Sequence, residues 1–101
     1  MQVLRISRGR VQAGCWDQFE AALIEAGRKI GDVPGLISRS LVRNVDNADE
    51  GYTISVWDSM EALRHYERSE LEKTVTPMLQ SFFTGEYRTE HCEIRYWDDK
   101  A

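Results

Sequence analysis

Between Tyr52 and Leu63 a two-residue hydrophobic rhythm gives way to a helical one. Tyr52, Ile54 and Val56 alternate with Thr53, Ser55 and Trp57. Successive strand side chains point to opposite sides, so this is a strand with one apolar and one mixed face. Asp58 follows as a candidate N-cap, with Glu61 three residues on to complete a capping box, and a helix is predicted within a residue or two of the strand's end. Trp57 falls on the face opposite the aliphatic one, where a pocket could form.

The same rules parse the rest of the chain. Val3 to Val11 is rich in aliphatic residues and runs into Ala13-Gly14, a strand followed by a turn. From Trp16 the apolar residues Phe19, Ala22, Leu23, Ala26 and Ile30 recur at helical spacing, Gly31 stands at the C-cap, and Pro34 bars any continuation. Leu36 to Arg43 is a second strand, whose two alternating sets are too alike to say which meets the helices. Asn44 to Gly51 is the hairpin loop into the Tyr52 strand. A second helix is predicted from Met60 to about Glu67. Ser69 and Glu72 then form another capping box, and Leu71, Val75, Met78, Leu79 and Phe82 extend a helical stripe with a break or kink expected at Thr76-Pro77. Gly85 to Trp97 is the last strand, with Tyr87, Thr89, His91 and Glu93 on one side and Cys92, Ile94 and Tyr96 on the other.

The predicted order is β-α-β-β-α-β, a ferredoxin-like split βαβ α+β fold with a four-stranded antiparallel sheet and the helices on one face. If Leu4 and Ile6 meet the helices, Arg5 and Ser7 share the opposite face with Trp57, Tyr87, Val3 and Val11. That face is too apolar to stand free, and pairing two such sheets in a homodimer would close a barrel around a pocket. Arg8 and Arg10 are then expected on the helix side at the strand's end, their stems lying along apolar surface.

Composition narrows the functional classes. A chain of 101 residues is expected to form one domain, 1–101. Thirteen Lys plus Arg against seventeen Asp plus Glu leave a formal charge of -4, with the cations dispersed, which argues against a nucleic-acid partner. No apolar stretch approaches the roughly 20 residues that span a bilayer. Arg5, Arg8 and Arg10 interrupt any signal-like segment, so a soluble, cytoplasmic protein is expected. Cys15 and Cys92 read as reduced structural thiols, because His91 and Cys92 are adjacent and point to opposite faces of a strand, unable to chelate one ion.

Four pieces of the chain, Arg8-Gly9-Arg10-Val11-Gln12-Ala13-Gly14, Pro34-Gly35-Leu36, Trp57-Asp58-Ser59 and Ala62-Leu63, are similar to the antibiotic-biosynthesis-monooxygenase-like family of dimeric α+β barrels. The resemblance implies a homodimer enclosing a lumen, and oxidation of a bound aromatic molecule by O2 with no metal, flavin or other cofactor. In such oxygenases the substrate's own phenolate or enolate supplies the electron, so the protein must favour that anion and keep the pocket dry. Trp57 matches the family's third-strand tryptophan. The asparagine of such oxygenases four residues before it is Thr53 here, and the tyrosine six residues after it is Leu63. Haem-degrading relatives carry asparagine, tryptophan and histidine where this chain has Ser7, Tyr66 and Thr76, which leaves a haem iron without a ligand.

Candidate roles follow. His91 is the expected general base, its tautomer set by Thr89 and Glu93, or else a histidine satisfied across the sheet. Arg5 is the cation for the substrate anion, or an interface salt bridge. Trp57 would stack on the ligand or close the core. Ser7, Thr53, Ser55, Tyr66 and Thr89 complete the expected substrate contacts, with Tyr66 at the pocket mouth or simply packed on the sheet. His65 is expected in solvent. The leading expectation is a cofactor-independent monooxygenase-like protein acting on a hydrophobic, aromatic small molecule. The alternatives are a non-catalytic binding module with the same lumen and a dimerisation domain whose lumen is filled.

Overall fold

In the computed structural model, residues 1–99 are described, the side chains of residues 70–72 excepted. Four strands, β1 (Val3–Val11), β2 (Leu36–Arg43), β3 (Glu50–Trp57) and β4 (Phe83–Glu93), form one sheet in the order β2-β3-β1-β4, every neighbouring pair antiparallel. Three helices, α1 (Trp16–Ile30), α2 (Met60–Glu67) and α3 (Glu70–Gln80), cover one face. This is the predicted ferredoxin-like α+β fold. Among the described residues no helix is long and apolar enough to cross a membrane.

The register fixes the faces. Val3 lies opposite Trp57, Arg5 opposite Ser55 and His91, and Ser7 opposite Thr53 and Thr89. Trp57 packs with Val3 and Leu63, against Met60, Ala62 and Tyr66 of α2, so this whole set lies beneath the helices. The sequence expectation of sides is therefore inverted. Val3, Val11, Trp57 and Tyr87 sit under the helices, and the aliphatic set Leu4, Ile6, Ile54 and Val56, with Tyr52, forms the uncovered face. Arg8 and Arg10 are on that uncovered face too, both reaching the Glu50 carboxylate, at 3.4 and 3.0 Å.

Two apolar clusters hold the helices down, one at each end of β1. Val3, Trp57 and Leu63 make the first. Val11, Trp16 and Phe19 make the second, joined by Leu23, Leu41, Leu79, Phe82 and Phe83. The second depends on a pair of glycines that face each other across β1 and β3. A Cβ on Gly9 would lie 2.7 Å from the Phe83 ring. One on Gly51 would lie 2.5 Å from the Trp16 ring and closer still to the Val42 carbonyl oxygen. The rings fill the space that side chains at those positions would need.

The local signals were mostly sound, displaced by a residue or moved along the chain. The α2 cap is Ser59, not Asp58, with its Oγ accepting the Ala62 N–H at 3.1 Å. The expected break at Thr76-Pro77 is absent, and Pro77 lies within α3. A helical proline removes one backbone bond at about 3 kcal/mol, and Leu79, two residues on, is anchored in the Val11 cluster. The break comes instead at Arg68 and Ser69, where the Ser69 N–H turns back to the Tyr66 carbonyl at 2.9 Å and the Ser69 carbonyl accepts the Lys73 N–H at 3.2 Å. The Glu72 half of the expected capping box, and Leu71, lie outside the described side chains. Strand β4 starts two residues earlier than expected, at Phe83, and ends at Glu93.

The ambiguity of β2 has a structural cause. Leu36 pairs with Trp57 and Ser38 with Val56, so an extra residue is inserted at Ile37. Beyond this bulge Arg39, Leu41 and Arg43 pair with Ser55, Thr53 and Gly51 and join Leu36 on the helix side. No single alternation describes both ends of the strand.

Gly51→Ala should destabilise the fold by about 1–3 kcal/mol, because neither the Trp16 ring nor the Val42 carbonyl can move aside independently. Urea unfolding of the variant and the parent measures it.

Candidate functional site

The two apolar clusters leave the middle of the sheet's helix face to polar side chains. Ser7 Oγ and Thr89 Oγ1 are 2.8 Å apart, and Ser7 is buried at 4 % exposure. A buried hydroxyl needs a partner, and each of these supplies the other's. Next along β1, Arg5 meets Glu67 from the end of α2, Nε to Oε2 at 3.2 Å. The same carboxylate oxygen takes His91 Nε2 at 3.0 Å. Arg5, Glu67 and His91 thus form one linked group that ties β1 and β4 to α2. The expected neighbours of His91, Thr89 and Glu93, are engaged elsewhere, with Ser7 and with Arg95.

Above this band, between the sheet and helices α1 and α3, is a cavity of about 290 Å³. That is at the lower end of ligand-site volumes, about 300–1,000 Å³. Its lining is largely apolar: Leu23 and Ile30 from α1, Val75 and Leu79 from α3, with Phe83 and Tyr87 from β4. Polar groups enter at Arg5, Thr53, Ser55, Tyr66 and Arg39. Trp57 contributes to the wall but is only 2 % exposed. Its indole N–H donates to Ser55 Oγ at 2.8 Å, and its ring lies 5.3 Å from that of Tyr66 at 35°. The tryptophan is locked, so it can present an edge or part of a face without rearranging.

Of the residues expected from the sequence, Arg5, Thr53, Ser55, Trp57 and Tyr66 are brought together on this cavity. Ser7 and Thr89 lie on the same sheet face as a closed pair. His91 stands apart from the lining, with a side chain 38 % exposed, and touches the site only through Glu67. His65 is exposed, as expected. Glu67 and Arg39 were missed. The first could have been sought once β1 and β4 were aligned, since Arg5 and His91 opposite each other call for a shared acid. The second was hidden by the bulge. Among the described residues there is no group of three His, Cys, Asp or Glu able to hold a metal ion.

The family model for antibiotic biosynthesis monooxygenase matches residues 3–75, most of the chain. The chain belongs to the antibiotic biosynthesis monooxygenase family. The matched span ends inside α3, so the β4 residues of the site lie beyond it.

Among solved structures, a cofactor-independent oxygenase from Streptomyces nogalater, SnoaB, superposes with a TM-score of 0.82 at 20% identity, covering 95% of each chain. A conserved protein from Methanosarcina mazei gives 0.81 at 14% identity over 90% of each chain. One from Mycobacterium tuberculosis gives 0.77 at 16% identity over the full length of both. At these identities the likeness is one of fold. No curated protein matches the chain.

The Arg5–Glu67 contact is shielded, with side chains 19 % and 25 % exposed, and should couple energetically. A double-mutant cycle of Arg5→Gln and Glu67→Gln, read by urea unfolding, should return an interaction of about 1–2 kcal/mol. His91→Ala, at the exposed end of the group, should cost less than about 1 kcal/mol.

Proposed function

We propose that this chain is a cofactor-independent monooxygenase-like protein that oxidises a hydrophobic, aromatic small molecule held between the sheet and helices α1 and α3. The observation that carries the reading is the cavity itself: apolar and aromatic walls around a polar floor with a guanidinium on it. Family membership and the SnoaB-like fold support the same reaction class.

The chemistry asks little of the protein. A phenol or enol with an adjacent ring methylene loses a proton to solvent, and its anion gives an electron to O2. One oxygen atom of O2 becomes the ring carbonyl and the other leaves as water, so CH2 plus O2 gives C=O plus H2O. Arg5, oriented by Glu67, would stabilise the anion, and Trp57 and Tyr87 would hold the ring out of water. Thr53, Ser55 and Tyr66 would fix its orientation by hydrogen bonds. His91, expected from the sequence to take the proton, is assigned here to holding Glu67, and through it Arg5.

The uncovered sheet face supports a homodimer. Leu4, Ile6 and Ile54 lie half-buried on it beside Val42, which is 40% exposed, while Val56 is already buried. A second copy would remove that apolar surface from water. The proposal extends to the whole span 1–101 as one domain and to a cytoplasmic location.

A second reading, binding without turnover, is favoured by one observation. Among the described residues lining the cavity none is His, Asp, Glu or Cys. That reading predicts saturable ligand binding without oxygen consumption.

Oxygen uptake with an anthrone, whose ring methylene becomes the second quinone carbonyl, discriminates the two. Turnover at one O2 per quinone formed is expected, and Arg5→Gln should lower kcat by about 10²-fold or more, the cost of losing one donor to a developing anion. Binding with no oxygen uptake would select the second reading. For the dimer, sedimentation should show a two-copy species, and dilution should lower Tm because folding and association are linked. A concentration-independent Tm would argue for a stable lone subunit.

A further inference from the structure

We infer that the cavity takes an organic anion, a flat apolar ring system carrying one carboxylate, and that Arg39 binds the charge. This rests on reading the cavity as a ligand site and names the class of molecule that fits it.

Two guanidinium groups reach the cavity, and they differ in how their charge is met. Arg5 faces Glu67 at 3.2 Å. Arg39 has no carboxylate within ion-pair range among the described residues. Its Nη2 donates to the carbonyl oxygens of Gly27 and Gly31, both at 3.4 Å, at the C-terminal end of α1. These long contacts use one nitrogen and leave the rest of the fork for a planar bidentate acceptor such as a carboxylate. No Asp or Glu lies among the described lining residues, so Arg39 meets no acidic side chain of that lining. Its lining is exposed at Ile24, Arg39 and Gln80 and buried at Ala26 and Trp57, so Arg39 stands on the solvent side. A ring can reach the apolar interior while its carboxylate stays at that side.

The backbone supplies an independent argument. Without the bulge between Leu36 and Ser38, strand alternation would set Leu36, Ser38 and Ser40 under the helices and Arg39 on the other face. The inserted residue turns Arg39 towards α1 and the cavity. Bulges of this kind are a recurrent means of re-aiming a side chain beside a site.

Calorimetric titration with naphthoate and with its neutral methyl ester tests the inference. Wild type should bind naphthoate about tenfold tighter than the ester, the worth of a hydrogen bond to a charged group. Arg39→Gln should abolish that preference and leave ester binding unchanged, and Arg39→Lys should retain part of it. Rising salt should shrink the preference, since the arginine is partly exposed. Circular dichroism checks that each variant is folded. Equal affinity of wild type for the two probes, or a preference that survives Arg39→Gln, overturns the inference alone. Failure of both probes to bind removes the cavity reading, and the inference with it.

Discussion

The helices are fastened to the sheet at its two ends and not in its middle. The Val3, Trp57, Leu63 cluster secures α2 at one end of β1, and the Val11, Trp16, Phe19 cluster secures α1 and the end of α3 at the other. Between them the strands present Arg5, Ser7, Thr53 and Ser55, side chains that do not gain from close apolar packing. A cavity is the geometric outcome, because close packing at both ends holds the span between them apart. The polar residues there are tied to one another, Ser7 to Thr89, Trp57 to Ser55 and Arg5 to Glu67. The polar groups of and beneath the chamber floor are therefore already partnered before any ligand arrives.

Periodicity revealed the strands and helices because each element keeps its own rhythm over at least two turns or four strand residues. It also separated the strand faces correctly: Arg5, Ser7, Thr53, Ser55 and Trp57 were grouped together, and Ile54 and Val56 against them. What it could not give was which face the helices cover. The more aliphatic face was the natural choice for the helices, yet it is the uncovered one. Both faces carry substantial apolar surface, and the helix side meets its share with large aromatics, Trp16, Phe19, Trp57 and Phe83, instead of aliphatics. A single-sequence pattern ranks faces by hydropathy, and here the ranking runs opposite to the cover.

The missed residues share a different cause. Glu67 closes a helix and matters because α2 brings it to β1 and β4, a contact between Arg5 and a residue far along the chain. No local signal encodes that meeting. Arg39 was in view, but the inserted Ile37 reverses the alternation partway along β2. Bulges add one residue without a compositional mark, and a strand with Leu36, Leu41 and Val42 on both parities gives no warning. The proline at 77 misled for the converse reason: its local cost is real, and tertiary anchoring at Leu79 outweighs it.

A chamber with few ionisable groups suits oxidation more readily than hydrolysis or group transfer. Those reactions call for a general base beside the reacting atom, and among the described lining residues there is no His, Asp, Glu or Cys, although serine, threonine and tyrosine hydroxyls are present. An electron-rich aromatic anion, by contrast, can reduce O2 unaided, and its protein host need only lower the cost of the anion and keep water away. On the proposed function, the Arg5 guanidinium would do the first in a low-dielectric setting, where a charge interaction is several times stronger than in water. Aromatic and aliphatic walls would do the second. On the proposed reading the two arginines divide the labour: Arg5, held in place by Glu67, would face the anion that develops in the reaction, while Arg39, with no carboxylate in ion-pair range among the described residues, would hold the ligand's carboxylate.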